Sequence, residues 1–329
     1  MVTAPGVTEL MRSLVVFAFL AFPAVQSSAA DAYPTRPIRL IVPSGAGGVT
    51  DILARILAER MRGSLGQQVV VDNRPGAGGI VGSDIVAKAA PDGYTLLMVF
   101  PSHAVNPSLN AKMPYDTVAD FAPITLVSRV SQVLLVHPNM PVKSVRELIA
   151  HAKARPKELN FGSVGKGSLG HLSGELFASR AGLELVHVAY KGAPQIMAAL
   201  LSGEVQVYFN VPISALSQIR AGKVRALGVS TRERLGALPE VPTIAESGLP
   251  GYESIGWNGI LAPARTPRPA IDRMHREVVA ALRAPDIQAQ LAAQAIDSVG
   301  NSPEEFAKII GADVAKWADV LKRAGIRPD

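Results

Sequence analysis

Apolar residues fall along this chain in two alternating rhythms. Ile38 to Val42, Val69 to Val71 and Leu96 to Phe100 are β-favouring runs too short for helices, and they read as buried strands. Between them Ile52, Leu53, Ile56 and Leu57 recur at one-turn spacing, so a helix with one apolar face starts near Val49. A second helical stretch covers Ile80 to Ala89. Alternation of this kind predicts a parallel sheet with helices on both faces, and ligands beyond the carboxyl ends of its strands.

The rhythm breaks between Ile124 and Val136, where ITLV and VLLV follow one another with no helix between them. There, near Val130, the chain is expected to cross into a second lobe. The pattern then repeats. Ser144 to Ala154 is a helix, Leu159 to Phe161 a strand, and Leu172, Leu176 and Phe177 share one face of the next helix. Val186 to Tyr190, Val205 to Phe209 and Val224 to Val229 read as strands, with a helix over Ile196 to Leu201. A loop rich in Pro and Gly (Leu238 to Tyr252) precedes Ile255 to Leu261, which carries the chain back. The remainder is predicted helical, with a helix start at Pro269 and a capping box at Ser302-Pro303-Glu304-Glu305. The expected fold is α/β with two lobes, 31–130 plus 253–329 and 131–252.

Where strand gives way to helix, the connections are almost bare of side chains. Ser44-Gly45-Ala46-Gly47-Gly48 follows the first strand, Gly76-Ala77-Gly78-Gly79 the second, and Gly162-Ser163-Val164-Gly165-Lys166-Gly167-Ser168 a strand of the other lobe. A glycine loop running into a helix leaves backbone N–H groups unpaired, with the positive end of the helix dipole behind them. That is an anion site built from backbone. The second glycine cluster, with Gly78, and Pro101-Ser102-His103 fall at the same sheet edge as the first loop.

More specific motifs fail on inspection. The first loop has two glycines of a dinucleotide fingerprint, with Asp72 in the place of the ribose acid, but Thr50 stands where the third glycine belongs. The loop of the second lobe keeps Gly165-Lys166 of a phosphate loop, yet has Asn160 and Gly167 at two essential positions. No GxSxG elbow exists, so Ser44, Ser102 and Ser168 lack the usual hydrolase setting. The six histidines show no metal-binding spacing. His171, one turn past Ser168, could be a neutral ring donating to a bound anion or a packing histidine. Asp51 reads as a capping acid rather than a general base. Asn210 either reaches the cleft or starts a turn.

Composition narrows the partners. The chain's 329 residues suit about two domains. Aromatics at 5% are too sparse for single-stranded nucleic acid, and no Lys/Arg stripe marks a nucleic-acid face. Cysteine is absent, which removes disulfides and thiolate chemistry. Arg12 precedes an apolar run, Leu14 to Phe22, too short to span a bilayer comfortably, and Ser28-Ala29-Ala30 follows. This reads as a secretory signal peptide over 1–30, with Met1 or Met11 as its start and a mature chain from near Asp31. The net charge stays at +6 without it, because it carries one Arg and one Glu.

Several segments together resemble the Bug-type solute receptors of tripartite tricarboxylate transporters. They are YPTRPIRLIVPSGAGGVTD, VVVDNRPGAGGIVGSDIVAKAAPDGYTLL, NFGSVGKGSLGHLSGELF, YKGAPQIMAALLSGEVQVYFN and VRALGVSTRERLGALPEVPTIAESGLPGYE, in the family's order. The resemblance implies a periplasmic receptor of the periplasmic-binding-protein type, hinged at two crossings, enclosing a carboxylate without catalysis or cofactor. It places the ligand at Ser44, Gly45, Ala46 and Gly47, with Thr50 and Asp51 beside them, and at Gly165, Gly167, Ser168 and His171. Di- and tricarboxylates, acidic amino acids and aromatic acids are the ligand classes implied. The membrane subunits of such a transporter, or a sensor protein, are the implied partners of a monomer. Two departures bear on the ligand: Ser44 replaces a common aromatic residue, and Asn210 a common acid. An exported hydrolase or other enzyme on the same scaffold is the alternative reading.

Overall fold

The computed structural model describes residues 33–294, 296–326 and 328, with Met1 and Val2. The expected signal peptide therefore lies, but for those two residues, outside the described residues. The first run of elements is β1 (Ile38–Val42), α1 (Val49–Leu65), β2 (Val69–Asn73), α2 (Ile80–Ala87), β3 (Thr95–Val99), α3 (Ser102–Leu109) and β4 (Phe121–Val130). Next come β5 (Val133–Val136), α4 (Val145–Lys153), β6 (Asn160–Ser163), α5 (Leu169–Ala181) and β7 (Val186–Ala189). Then follow α6 (Ala193–Ser202), β8 (Val207–Asn210), α7 (Pro212–Arg220) and β9 (Arg225–Val229). The chain ends with β10 (Gly256–Pro263), α8 (Arg268–Leu282), α9 (Pro285–Ala292), β11 (Ile296–Ser298) and α10 (Pro303–Arg323).

The strands form two sheets, one of six in the order β11-β4-β10-β3-β1-β2 and one of five in the order β7-β6-β8-β5-β9. β1 pairs in parallel with β2 and β3, and β6 with β7 and β8, as the alternation predicts. Each sheet also holds a strand that runs against its neighbours: β10 against β3 and β4, and β5 against β8 and β9. These two strands arrive directly from the other lobe. They enter at the edge where the parallel strands end, so they must run the opposite way.

The crossings are stitched together. Gln132 N–H donates to Ser230 Oγ at 2.9 Å, Ser230 N–H to Gln132 O at 2.9 Å, and Ser254 N–H to Ser230 O at 3.0 Å. α10 adds a third link. Its first half packs Phe306 and Ile310 against Trp257 and Leu261 of the six-stranded lobe. Its second half packs Trp317, Val320 and Leu321 with Leu176, Phe177 and Tyr252 of the other. The expected capping box is present, with Ser302 Oγ accepting from Glu305 N–H and Glu305 from Ser302 N–H.

Three elements escape the pattern. β11, paired with β4, interrupts the region predicted to be helical and is too short for an alternation to register. α3 carries Pro107 within its eight residues, and α7 begins on Pro212, so proline hides both.

Candidate functional site

The first loop is held from beneath. α1 begins after Gly48, which has no side chain to cap it, so the first-turn N–H groups have no side-chain acceptor. Gly47 is left-handed at φ +82°, and its N–H donates to Asp51 Oδ2 at 2.8 Å. Asp51, only 2% exposed, also accepts from Arg55 Nε at 3.0–3.1 Å and from Asn73 Nδ2 at 2.9 Å. Asn73 in turn donates to Ser44 O at 3.1 Å. Arg55 and the two amide donors hold the Asp51 carboxyl down at about 2. Thr50 faces the hinge instead, donating to Asn258 Oδ1 at 2.8 Å, and Asn258 donates to Ser128 Oγ at 3.3 Å. Gly45 to Gly48 stay exposed, while the Ser44 hydroxyl is buried with no partner among the described residues.

The second glycine cluster rests on α3. Ala77, Gly78 and Gly79 form a 3₁₀ turn, and Gly78 O accepts from Ser102 Oγ at 2.8 Å and Asn106 Nδ2 at 3.2 Å. Ser102 is therefore buried in support of the turn. The same helix reaches across the lobes: a Cβ on Gly167 would sit 3.1 Å from Leu109 Cδ1.

In the other lobe Ser168 caps α5, its Oγ accepting from His171 N–H at 3.4 Å and donating to Gly165 O at 2.7 Å. Gly165 and Gly167 are left-handed, at φ +118° and +77°. Gly167 N–H donates to His171 Nδ1 at 3.2 Å, which leaves the ring proton on Nε2, 3.5 Å from Glu175 Oε1. Burial, with His187 and Lys166 nearby, keeps the His171 ring neutral and its pKa down at about 3. Burial pushes Glu175 up to about 7. Ser163 Oγ lies 2.6 Å from His187 Nε2, but Ser163 is buried and tied to Gly165 O, a loop brace rather than a poised nucleophile.

His171 is 1% exposed and both its nitrogens face protein groups, the setting of a packing histidine. Gly47 and Gly167 likewise direct their N–H groups inward. Asn210, at the end of β8, accepts at Oδ1 from Tyr208 Oη (3.1 Å) and Ser214 Oγ (2.9 Å), and its Nδ2 has no partner among the described residues. The residues that sequence reasoning missed are the supports: Arg55, Asn73, Asn106, Glu175 and Asn258. Arg55 and Glu175 stand four residues beyond Asp51 and His171, a helix spacing that could have exposed them.

A crevice of about 340 Å³ lies elsewhere, lined in part by Arg129, Trp257, Asp313 and Lys316, and includes none of the loop residues. Among the described residues no group of three His, Cys, Asp or Glu could hold a metal ion. No helix among them is long and apolar enough to cross a membrane.

Two α/β lobes joined at a stitched hinge, each with a braced glycine loop at a helix start, define a solute-binding protein of the periplasmic type. The model of the tripartite tricarboxylate transporter family receptor matches residues 53–326. BugT of Bordetella pertussis is 38% identical over 98% of this chain and 99% of its own. Two solved structures from Rhodopseudomonas palustris superpose closely. Rpa4515, solved with adipate, is 37% identical with a TM-score of 0.78, over 90% of this chain and 100% of that one. MatC, solved with malate bound, is 30% identical with a TM-score of 0.75, over 88% and 100%. The chain belongs to the tripartite tricarboxylate transporter receptors, a periplasmic family of solute-binding proteins rather than enzymes.

Proposed function

We propose that this receptor captures a small organic carboxylate between its lobes and delivers it to the membrane subunits of a tripartite tricarboxylate-type transporter. The observation that carries this reading is the pair of glycine loops, one per lobe, each at the start of a helix. Adipate in one relative and malate in another make a dicarboxylate the first ligand class to try. Backbone donors suit such a ligand, because they cannot lose their polarity with pH. The exposed backbone of Gly45, Ala46 and Gly48 would contact one carboxylate, with Gly165 and Ser168 on the facing loop and Asn210 Nδ2 beside them. Ser44 Oγ, buried and unpartnered, is a further donor at that site. Thr50, Asp51, Gly78, Ser102 and His171 serve as supports, and Gly47 and Gly167 as the points they hold.

The protein acts as an exported monomer, its leader over 1–30 removed and its lobes spanning 31–130 with 253–329 and 131–252. Mass spectrometry of ligand released from gently purified protein is the test, followed by calorimetric titration with adipate, malate and their diamides. Binding of the acids and not the diamides is expected. Equal binding of adipate and its diamide would overturn the carboxylate reading.

A further inference from the structure

The two loops share a construction that their sequences conceal. Counting from each helix start, Gly48 and Ser168 are the N-caps, Gly47 and Gly167 precede them, and Asp51 and His171 are the third helical residues. In both loops the left-handed glycine gives its N–H to the side chain four residues on, at 2.8 Å to Asp51 and 3.2 Å to His171. In both, that side chain meets another one turn further along: Arg55 at 3.0 Å and Glu175 at 3.5 Å. The 4-and-4 spacing is identical, while the chemistry is inverted. Carboxylate then guanidinium stands in one lobe, imidazole then carboxylate in the other.

We propose that Asp51 and His171 are matched positioning residues, each pinning a left-handed glycine so that the remaining N–H groups of its loop stay turned toward the ligand. This rests on the two-loop carboxylate site above. An unpinned glycine has free choice of φ on either side of zero, and a loop of glycines would otherwise lose ordering entropy on every binding event. Burial of both side chains marks them as fixed parts of the scaffold. Arg55 offsets the charge of Asp51, and the neutral ring of His171 carries none. An anion site is thereby braced from below without a bare negative charge facing the ligand. Asn73 reinforces one loop through Ser44 O, and Ser168 reinforces the other through Gly165 O.

The test reads the loops first without ligand. Amide hydrogen exchange by NMR on the full mature chain is expected to show protected Gly47 and Gly167, and ¹⁵N shifts to show His171 with its proton on Nε2 between about pH 5 and 8. Asp51→Leu should deprotect Gly47 alone and His171→Leu Gly167 alone. Asp51→Asn and His171→Asn, which keep an acceptor near the same place, should restore most of the protection. With adipate as probe, each Leu variant should bind at least about tenfold more weakly and each Asn variant much less so, as loss of a hydrogen bond to a buried group implies. Unprotected glycines in the parent, a proton on His171 Nδ1, or Leu variants that bind adipate as the parent does would overturn the proposal. If even the parent ignores adipate, the ligand assignment fails, while the exchange and tautomer readouts still decide the positioning roles. Should a Leu variant not fold, the parent's exchange and tautomer decide alone.

Discussion

The first loop and the loop of the second lobe reach the same geometry with opposite electrostatics. Asp51 is ionised above about 2 and sits in a net of Arg55, Asn73 and the Gly47 amide. His171 stays neutral down to about 3, with its outer nitrogen turned to Glu175. One loop is thus braced by a charge pair and the other by a neutral ring over a carboxylate of raised pKa. What the two have in common is a left-handed glycine whose N–H is held by a buried side chain four residues on.

If both loops hold the ligand, a negative charge placed at either mouth should act alike. Ala46 is exposed and its φ is not left-handed, so Ala46→Asp adds charge without backbone strain. Ser168→Asp keeps an acceptor for the cap but loses the donor to Gly165 O, so Ser168→Asn is its control. Two like charges about 4 Å apart repel by about 4 kcal/mol at an effective dielectric of about 20. Each aspartate should therefore lower carboxylate affinity by more than about a hundredfold in calorimetric titration. Should Ser168→Asp bind as tightly as the parent, the comparison breaks and the first loop works alone.

Much of this was visible in the chain, for reasons that can be stated residue by residue. Ile38 to Val42 and its glycine loop were legible because a strand buried at all but Arg39 and a bare turn leave a local signature. The capping box at Ser302 was legible because both of its partners lie within one turn. The reversed direction of β5 and β10 was hidden, since pairing direction depends on which lobe the chain has just left. The support of Gly78 by Ser102 and Asn106 joins residues 24 and 28 apart, and Thr50 with Asn258 joins residues 208 apart. No window along the sequence can register those. The place of His171 at a helix start is visible in the chain, but its burial belongs to the packed lobe.

The contrast between the braces should also appear in how stability depends on pH. Asp51, with its pKa lowered, contributes stability that is present above the ordinary 3.8 and lost only as pH falls through about 2. His171, also lowered, loses its contribution as pH falls from the ordinary 6.5 toward about 3. Glu175 is raised, so its contribution is present below 4.5 and lost as pH climbs through about 7. Glu175→Gln removes that alkaline loss. Thermal unfolding should show the variant gaining on the parent between pH 5 and 8, by roughly 1–3 kcal/mol at the upper end. A constant gap across that range would show that Glu175 does not titrate there.

The smallest expected effect separates the loops by what surrounds their left-handed glycines. A Cβ on Gly47 would meet nothing within 4 Å, whereas one on Gly167 would lie 3.1 Å from Leu109 Cδ1, on a helix of the other lobe. Alanine at either position must hold a positive φ, at about 1–2 kcal/mol in denaturant titration. That part should be equal. Only Gly167→Ala also presses a methyl against Leu109, and the flexible end of that side chain can yield by a few tenths of an ångström. Leu109→Ala would relieve the contact without touching φ. A double-mutant cycle between positions 167 and 109 should therefore return a coupling of about 0.5 kcal/mol, and one between 47 and 109 a coupling near zero. Equal couplings would mean that the loop of the second lobe does not bear on the first lobe through Leu109, and the two glycines would then differ only in which side chain pins them.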